Sequence, residues 1–202
     1  INDGSKNYKC KLKAWMLEHR SSSHILVYCG DGRVDNEDLS DTMRQVERVA
    51  EIVGNEVGMR CATFTAATPP KDRTKLLHSF AKGQIQVLIA IRCLDQGVDV
   101  PSTRIAHILA SSSNPRQFIQ RRGRVLRNAA GKDEAEIYDY FVHPPFGSLS
   151  PSSAGYRVMR SLLLKEAQRG EEFCENARNP SEARQVLLDL GKAVRQVGVL
   201  NE

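Results

Sequence analysis

Short apolar runs alternate with longer amphipathic segments from the start of the chain to about residue 145. Runs of about four to eight apolar, β-branched residues are typical of strands, whereas apolar residues about three or four positions apart are typical of helices. The pattern predicts strands at residues 24–29, 59–64, 85–91, 104–110 and 136–142. It predicts helices at residues 6–19, 43–54 and 68–83, and a further helix that begins at Asn114.

The alternation of strands and helices with short connections predicts an α/β fold with a doubly wound, mostly parallel sheet. The run at residues 85–91 is continuously apolar and rich in β-branched residues, which predicts a central strand covered on both faces. Residues 30–41 are polar and acidic, and we predict a loop there, between the first strand and the helix that follows it.

The composition changes at the two prolines at 144–145, which a linker rich in serine, proline and glycine follows. Residues 156–199 show the apolar spacing of two or three helices, with divisions predicted near Gly170 and at residues 179–180. We therefore predict an α/β domain and, after it, a linker with a helical C-terminal extension, with bounds at residues 1–145 and 146–202.

The chain has five cysteines and five histidines, and neither set shows the spacing of a metal site. None of the histidines has an evident serine or cysteine partner in the sequence. The odd number and wide scatter of the cysteines predict reduced, buried thiols in a cytoplasmic protein rather than disulfides. No apolar run approaches the roughly 18 residues of a membrane-spanning helix, so we expect no membrane as a partner.

The positive charge of the chain is concentrated in one segment. Lysine and arginine number 29 against 24 acidic residues, which gives a formal net charge of +5. Residues 116–127 contain five arginines and no acid, and so account for the whole excess. A positive patch on an otherwise neutral chain predicts a localised partner that carries phosphate groups.

The helix that holds these arginines has a well-marked start, with Asn114 as N-cap and Pro115 in the first turn. Two apolar pairs are spaced to anchor the helix to the sheet: Phe118 with Val125, and Ile119 with Leu126. One further face carries three polar residues at i, i+4 and i+7: Gln120, Arg124 and Arg127. That face favours arginines that meet phosphate, and the alternative is a solvated basic surface.

A second candidate site is the turn after the predicted central strand. Ligands of open parallel sheets bind outside the carboxyl ends of the strands. Gly97 permits a tight turn there, and Asp99 offers an acceptor suited to a ribose hydroxyl. An ordinary turn explains the same residues equally well.

Two other patterns do not have the spacing that their sites require. Gly30 and Gly32 follow a strand, but Asp35 stands where a dinucleotide-binding loop needs its third glycine. The acidic residues at 31–41 lack the ligand spacing of a calcium loop. The sequence also has no GxxxxGK[ST] phosphate loop, so arginines suited to a nucleotide are present without the loop that would hold its phosphates.

Four motifs in order give the chain a family resemblance: ILVYCGDG, TAATPPKDRTKLLHSFAKG, VLIAIRCLDQGVDVP and QRRGRVLR. They are similar to motif IV, the Thr-Gly-x-Thr-Pro segment, motif V and motif VI of superfamily 2 helicases and translocases. Over about residues 20–145 the chain resembles the second RecA-like domain of these proteins, the helicase C-terminal domain. The sequences of motifs V and VI resemble those of restriction-subunit and XPB-like members more than those of the DEAD-box group.

The resemblance implies a role for each matching residue. Arg124 and Arg127 would be arginine fingers that reach the γ-phosphate of ATP, with Gly97, Asp99 and Gln120 near the nucleotide. The implied nucleic-acid contacts are Thr65, Arg92 and Arg116. The sequence departs from the family at Ala66, where a glycine is usual, and at Ile91, where many relatives have a phosphate-binding threonine.

The resemblance therefore implies the second motor domain of an ATP-dependent helicase or translocase. ATP would be bound with Mg²⁺, whose ligands are expected on an N-terminal RecA-like domain of the same protein. The chain begins at Ile1 without a methionine, as expected of a piece of a longer protein, and by itself it is expected to be inactive. DNA is favoured over RNA as the nucleic-acid partner. The alternatives are a non-catalytic nucleic-acid-binding or scaffold module, and an unrelated phosphate-binding α/β protein.

Overall fold

The computed structural model describes most of the chain: residues 4–30, 33–35, 42–91, 100, 102–109, 132–140, 152–175, 177–185 and 187–188. These residues fall into two compact units. One unit covers Ser5–Tyr140, and the other contains the described residues from 152 onward. The predicted domain boundary after residue 145 lies outside the described residues.

The first unit contains a five-stranded, wholly parallel sheet with the order β4-β5-β1-β6-β7. Its strands are β1 (Ile25–Cys29), β4 (Cys61–Phe64), β5 (Val87–Ile91), β6 (Ile105–Ile108) and β7 (Glu136–Asp139). Every residue of β1 and β5 is buried, as predicted for strands covered on both faces. The middle position belongs to β1, where Val27 pairs with Ile89 on one side and His107 on the other.

Helices cover both faces of the sheet, which confirms the predicted doubly wound α/β fold. They are α1 (Gly4–Glu18), α2 (Gln45–Ala50), which continues as a π-helical turn (Glu51–Glu56), and α3 (Pro70–Ala81). Alternate residues of β1 separate the two sides of the core. Val27 packs with residues of α1 and α2, and Leu26 packs with Phe64 and Phe80, the latter from α3.

The predicted acidic loop is wrong for part of its length. Strands β2 (Arg33–Asp35) and β3 (Thr42–Arg44) pair antiparallel, with Val34 opposite Met43. The helical spacing of Val46, Val49, Ala50 and Val53 predicts a helix over residues 43–54. The helix begins two residues later, since Arg44 has extended backbone (ψ 145°) and its amide donates to the Glu47 carboxylate at 2.9 Å.

In the second unit, one helix, α4 (Ala154–Glu175), runs without a break through Gly170. The division predicted near Gly170 is therefore wrong. A single glycine costs a helix only about 1 kcal/mol, which a long helix tolerates. Residues 177–179 are not helical and residues 180–185 are, so the division predicted at residues 179–180 is confirmed.

The cysteines differ in exposure. Cys29 and Cys174 are buried and Cys61 is partly buried, but Cys10 is exposed on α1, so the prediction of buried thiols is wrong for Cys10. These four cysteines are free thiols, and burial raises the pKa of the Cys29 thiol well above its usual range. Cys93 lies outside the described residues. No helix in the described part of the chain combines the length and the apolar character of a membrane span.

Candidate functional site

Thr65, predicted to contact nucleic acid, opens a compact turn between β4 and α3. The amide of Thr65 donates to Oγ1 of Thr68 at 3.0 Å, and the amide of Thr68 donates back to the Thr65 carbonyl at 3.1 Å. Oγ1 of Thr65 accepts from the amide of Ala67 at 3.2 Å. The Thr65 hydroxyl thus accepts one hydrogen bond within the turn and carries a proton that it can donate.

Arg73, on the first turns of α3, fixes this turn from the other side. Its Nε donates to the Thr68 carbonyl at 2.9 Å, and one terminal nitrogen donates to the Ala66 carbonyl at 3.1 Å. The guanidinium also lies 5.9 Å from the centre of the Phe64 ring, within the range of a cation–π contact. No role for Arg73 is predicted from the sequence, although its fixed place in the second motif was the available signal.

The turn leads directly into the N-terminus of α3. Pro69 is the N-cap residue and Pro70 occupies the first helical position, where proline's missing amide costs no hydrogen bond. The amides of Asp72 and Arg73 both donate to the Pro69 carbonyl. Ala66 is exposed, and the one non-glycine residue with positive φ in the described chain is His24. Alanine therefore replaces the usual glycine at residue 66 without backbone strain.

The two other candidate segments follow strands that flank β1. The segment with Arg92, Gly97 and Asp99 follows β5, which ends at Ile91, and the segment with the five-arginine run follows β6. Strands β5 and β6 lie on opposite sides of β1 in a parallel sheet. Both segments therefore begin at the same end of the sheet, where the strands have their carboxyl ends. The chain crosses from one side of β1 to the other between them, and ligands bind at such switch points.

Of the predicted site residues, Thr65 is the one that the structure describes. The others lie outside the described residues: Arg92, Gly97, Asp99, Arg116, Gln120, Arg124 and Arg127. Gly30, at the end of β1, is described, and its amide donates to Oε1 of Gln45 at 2.6 Å. In the part of the chain that the structure covers, no three His, Cys, Asp or Glu residues are grouped so that they could hold a metal ion.

At the other end of the sheet, where the strands begin, a buried glutamine joins neighbouring segments of the chain. The sequence did not predict this role. Gln86 accepts a hydrogen bond from the Arg60 amide at 3.1 Å and donates to the carbonyls of Arg20 and Ser22 at 2.8 and 3.0 Å. It is 6% exposed, so these contacts satisfy most of a polar group that burial would otherwise penalise. This network links the segment after α1 to the starts of β4 and β5, away from the candidate site.

His24, at the same end of the strands, has the adjoining Ser23 as a partner, so the expectation that no histidine has a serine partner is wrong for this residue. The Ser23 hydroxyl lies 2.8 Å from Nδ1 of His24, and Nε2 lies 3.1 Å from the Ala81 carbonyl. Since Ala81 is the last residue of α3, the imidazole satisfies a carbonyl at the helix end. The pair therefore has a structural role, and the left-handed backbone of His24 (φ 61°) places its ring there.

His107, in the middle of β6, is fully buried in an aromatic cluster. Its ring stacks on Tyr138 at 4.8 Å and meets the edge of Trp15 at 4.6 Å. Nδ1 lies 3.1 Å from the Tyr140 hydroxyl, and Nε2 has no hydrogen-bond partner in the described structure. Burial, and to a lesser extent the nearby His19, lowers the pKa of His107 to about 3. The cluster is neutral at physiological pH and serves packing.

Comparison with known proteins places this arrangement in a family. The helicase conserved C-terminal domain family matches residues 10–129. Over 96 residues the chain is 38% identical to the DNA 3'-5' translocase XPB2 of Sulfurisphaera tokodaii, a match that covers 48% of this chain and 20% of that protein. It is 32% identical over 100 residues to Dicer-like protein 2 of Phaeosphaeria nodorum, covering 49% of this chain and 7% of that one.

Among solved structures, the C-terminal part of the Fun30 ATPase domain superposes with a TM-score of 0.51 and 19% identity. The superposition covers 69% of this chain and 43% of that one, and it supports the fold alone. The chain spans only a small part of its curated relatives, which are longer proteins. The family match covers more than half of the chain, and the parallel sheet agrees with it. The chain therefore belongs to the helicase conserved C-terminal domain family, the second RecA-like domain of superfamily 2 helicases and translocases.

Proposed function

We propose that the chain is the second motor domain of an ATP-dependent nucleic-acid helicase or translocase. In this proposal Arg124 and Arg127 act as arginine fingers on an ATP molecule whose phosphate loop lies on an N-terminal RecA-like domain of the same protein. Gly97, Asp99 and Gln120 contact the nucleotide from this side.

The observation that carries the proposal is the position of β5 and β6 on either side of β1. The segments that hold the nucleotide-contacting residues and the fingers both follow these strands, at the edge where parallel sheets bind ligands. This topology supports a single site built from both segments. The family relationship supports ATP as the nucleotide, because a further relative, 22% identical over 165 residues, is the ATP-dependent DNA helicase Q1 of Mus musculus.

The role of the fingers follows from the chemistry of phosphoryl transfer. The transition state spreads negative charge over the transferred phosphoryl group, so positioned cations supply most of the catalysis. Mg²⁺, held by carboxylates of the N-terminal domain, would neutralise further phosphate charge. If the fingers lie on one domain and the phosphate loop on another, hydrolysis requires the two domains to close, and closure can be coupled to movement along a strand.

Nucleic acid would be contacted by the turn at Thr65 together with Arg92 and Arg116. The Thr65 hydroxyl, which accepts one hydrogen bond within the turn, is a donor suited to a phosphate oxygen. Such contacts fix the position of a strand without reading its bases. The DNA translocase among the relatives favours DNA, although Dicer-like and RNA-helicase relatives are present as well.

The second candidate is a non-catalytic nucleic-acid-binding or scaffold module with the same fold. The two candidates differ in what the fingers do, since a module that only binds has no use for a pair of arginines aimed at a γ-phosphate.

The test compares ATP hydrolysis by the 202-residue chain with hydrolysis by the complete protein, each with and without single-stranded DNA. We expect background turnover from the chain alone and nucleic-acid-stimulated turnover from the complete protein. Turnover by a clean preparation of the chain alone would contradict the half-site arrangement. A complete protein that binds nucleic acid but hydrolyses no ATP would support the binding module instead.

A further inference from the structure

The N-terminal part of α4 has an exposed face that carries three cations. The residues of this face recur at helical spacing and line a groove of about 420 Å³: Arg157, Arg160, Ser161, Leu164, Lys165 and Gln168. All six of them are exposed. One terminal nitrogen of Arg157 donates to the Ser152 carbonyl at 2.8 Å, which holds this guanidinium near the start of the helix. We call Arg157, Arg160 and Lys165 the basic face.

No acidic residue of this part of the helix lies on the basic face. Glu166 is the one acid between residues 154 and 170, and at about 100° per residue it lies on the opposite side of the helix from Arg157. Its carboxylate is 2.6 Å from the guanidinium of Arg169, which is 7% exposed. The acid is therefore used in a partly buried ion pair, and no acid among residues 154–170 offsets the positive charge of the basic face.

The basic face also has a defined end. Beyond Gln168 the same side of the helix carries Glu171, Glu172 and Glu175. An anionic partner would be attracted along the first part of the helix and repelled along the last. The three cations span nine residues, whose first and last are about 12 Å apart along the helix. This is about the length of three to four nucleotides at roughly 3.4 Å per nucleotide of one strand.

We propose that the basic face of α4 binds the phosphate backbone of a nucleic-acid strand. This inference rests on the proposed function, because nucleic acid is the polyanion on which a motor domain of this family would act. Arginine forks and a lysine ammonium suit phosphate oxygens. The lining of the groove contains no aromatic side chain on which bases could stack, so the binding should be independent of sequence.

The experiment measures binding of a fluorescent oligothymidine to the full 202-residue chain over a range of salt concentrations. The test variant carries Arg157→Gln, Arg160→Gln and Lys165→Gln. A matched control carries Lys11→Gln, Lys75→Gln and Lys82→Gln, which remove the same charge from exposed positions of α1 and α3 and from the end of α3. A third variant, Arg157→Lys with Arg160→Lys, keeps the charge. Circular dichroism and melting temperature establish that all variants fold.

Each phosphate contact contributes about 0.7 to the slope of log affinity against log salt for a single strand. Loss of three contacts should lower the slope by about 2, and the affinity at 0.1 M salt should fall roughly 100-fold. The control variant should keep most of the slope, and the lysine variant should keep nearly all of it.

Equal slopes for the test and control variants would overturn the proposal. So would a test variant that binds oligothymidine like the control but no longer binds polyglutamate, since the occupant would then be an acidic polypeptide. A different result would contradict the proposed function. If Arg124→Ala and Arg127→Ala left ATP hydrolysis by the complete protein unchanged, the motor assignment would be wrong. The basic face would still stand if the test and control variants differed in their salt slopes.

Discussion

Arg73 donates to the carbonyl of Thr68 at 2.9 Å, a bond that joins the first turns of α3 to the turn at Thr65. A second bond from the same guanidinium, to Ala66, fixes the turn at its exposed corner. Two donors at fixed geometry on one planar group hold the turn more rigidly than two independent side chains would. Arg73 is thus a positioning residue for Thr65, and two of its donors are used within the protein.

The first prediction concerns Arg73→Ala. Loss of two charge-assisted hydrogen bonds and a cation–π contact, all partly solvated, should lower the free energy of unfolding by about 1–2 kcal/mol. Binding of single-stranded DNA should weaken more than loss of one surface charge explains, because the Thr65 turn becomes mobile. Urea denaturation and a binding titration measure the two effects.

Lys75→Ala is the matched control, since Lys75 is an exposed cation on the same helix. It should change the free energy of unfolding by no more than about 0.5 kcal/mol. If Arg73→Ala and Lys75→Ala weaken binding equally, Arg73 contributes charge alone and positions nothing. Arg73→Lys should recover little of the loss, since an ammonium cannot bond both carbonyls in the same geometry.

The second prediction concerns Gln86→Leu, at the other edge of the sheet. The change leaves the Arg60 amide and the carbonyls of Arg20 and Ser22 without their side-chain partner. We expect the free energy of unfolding to fall by about 2–4 kcal/mol, since each group left unpaired costs about 1–3 kcal/mol and the carbonyls are partly solvated. Gln84→Leu, at an exposed position, should stay within about 0.5 kcal/mol of the parent. Equal effects of the two changes would mean that Gln86 stabilises nothing.

The third prediction concerns acid stability and His107. Burial lowers the pKa of His107 from 6.5 to about 3, so the unfolded chain takes up a proton between these values while the folded chain does not. The contribution of His107 to the free energy of unfolding is therefore constant above about pH 6.5 and is lost progressively as the pH falls towards 3. The free energy of unfolding should decrease by roughly 1.4 kcal/mol per pH unit in that window from this group.

His107→Gln removes the titrating ring but keeps a polar side chain near the Tyr140 hydroxyl. The difference in free energy of unfolding between the parent and His107→Gln should shrink as the pH falls from 7 to 4, because only the parent loses this contribution. The subtraction also cancels the titration of groups that do not interact with His107. A difference that stays constant across this range would show that His107 titrates normally in the folded chain.

The sequence predicted the parallel sheet well because its strands are buried on both faces. Runs such as residues 85–91 are apolar without interruption, and burial on both sides is the condition that produces such a pattern. The antiparallel pairing of Val34 with Met43 left no comparable signal, since short strands in a polar, acidic segment have few apolar positions. At Gly170 the sequence contains a signal that the structure does not follow. A glycine does lower helix stability, but the other residues of α4 stabilise the helix by more than this cost.

Thr65 was predicted from its place in a motif, whereas the contacts that position it were not. Arg73 reaches Ala66 from seven residues away, and Gln86 reaches Arg20 across 66 residues. Hydrogen bonds of this kind depend on the direction of each side chain after the elements have packed, which spacing along the chain does not encode. The seven other predicted site residues remain predictions, and the finger pair is the most consequential of them.

The last prediction therefore separates catalysis from folding at the finger pair. In the complete protein, Arg124→Ala or Arg127→Ala should reduce nucleic-acid-stimulated ATP hydrolysis by roughly 10³–10⁵-fold, while ATP affinity changes far less, because a finger acts in the transition state. The free energy of unfolding should change by only about 0.5 kcal/mol, as for surface side chains. Phe80→Ala is the core control: Phe80 is 0% exposed, and its truncation should cost about 3–5 kcal/mol. Arginine variants that are destabilised like Phe80→Ala would make these residues structural, and variants that hydrolyse ATP at the parent rate would remove the finger role.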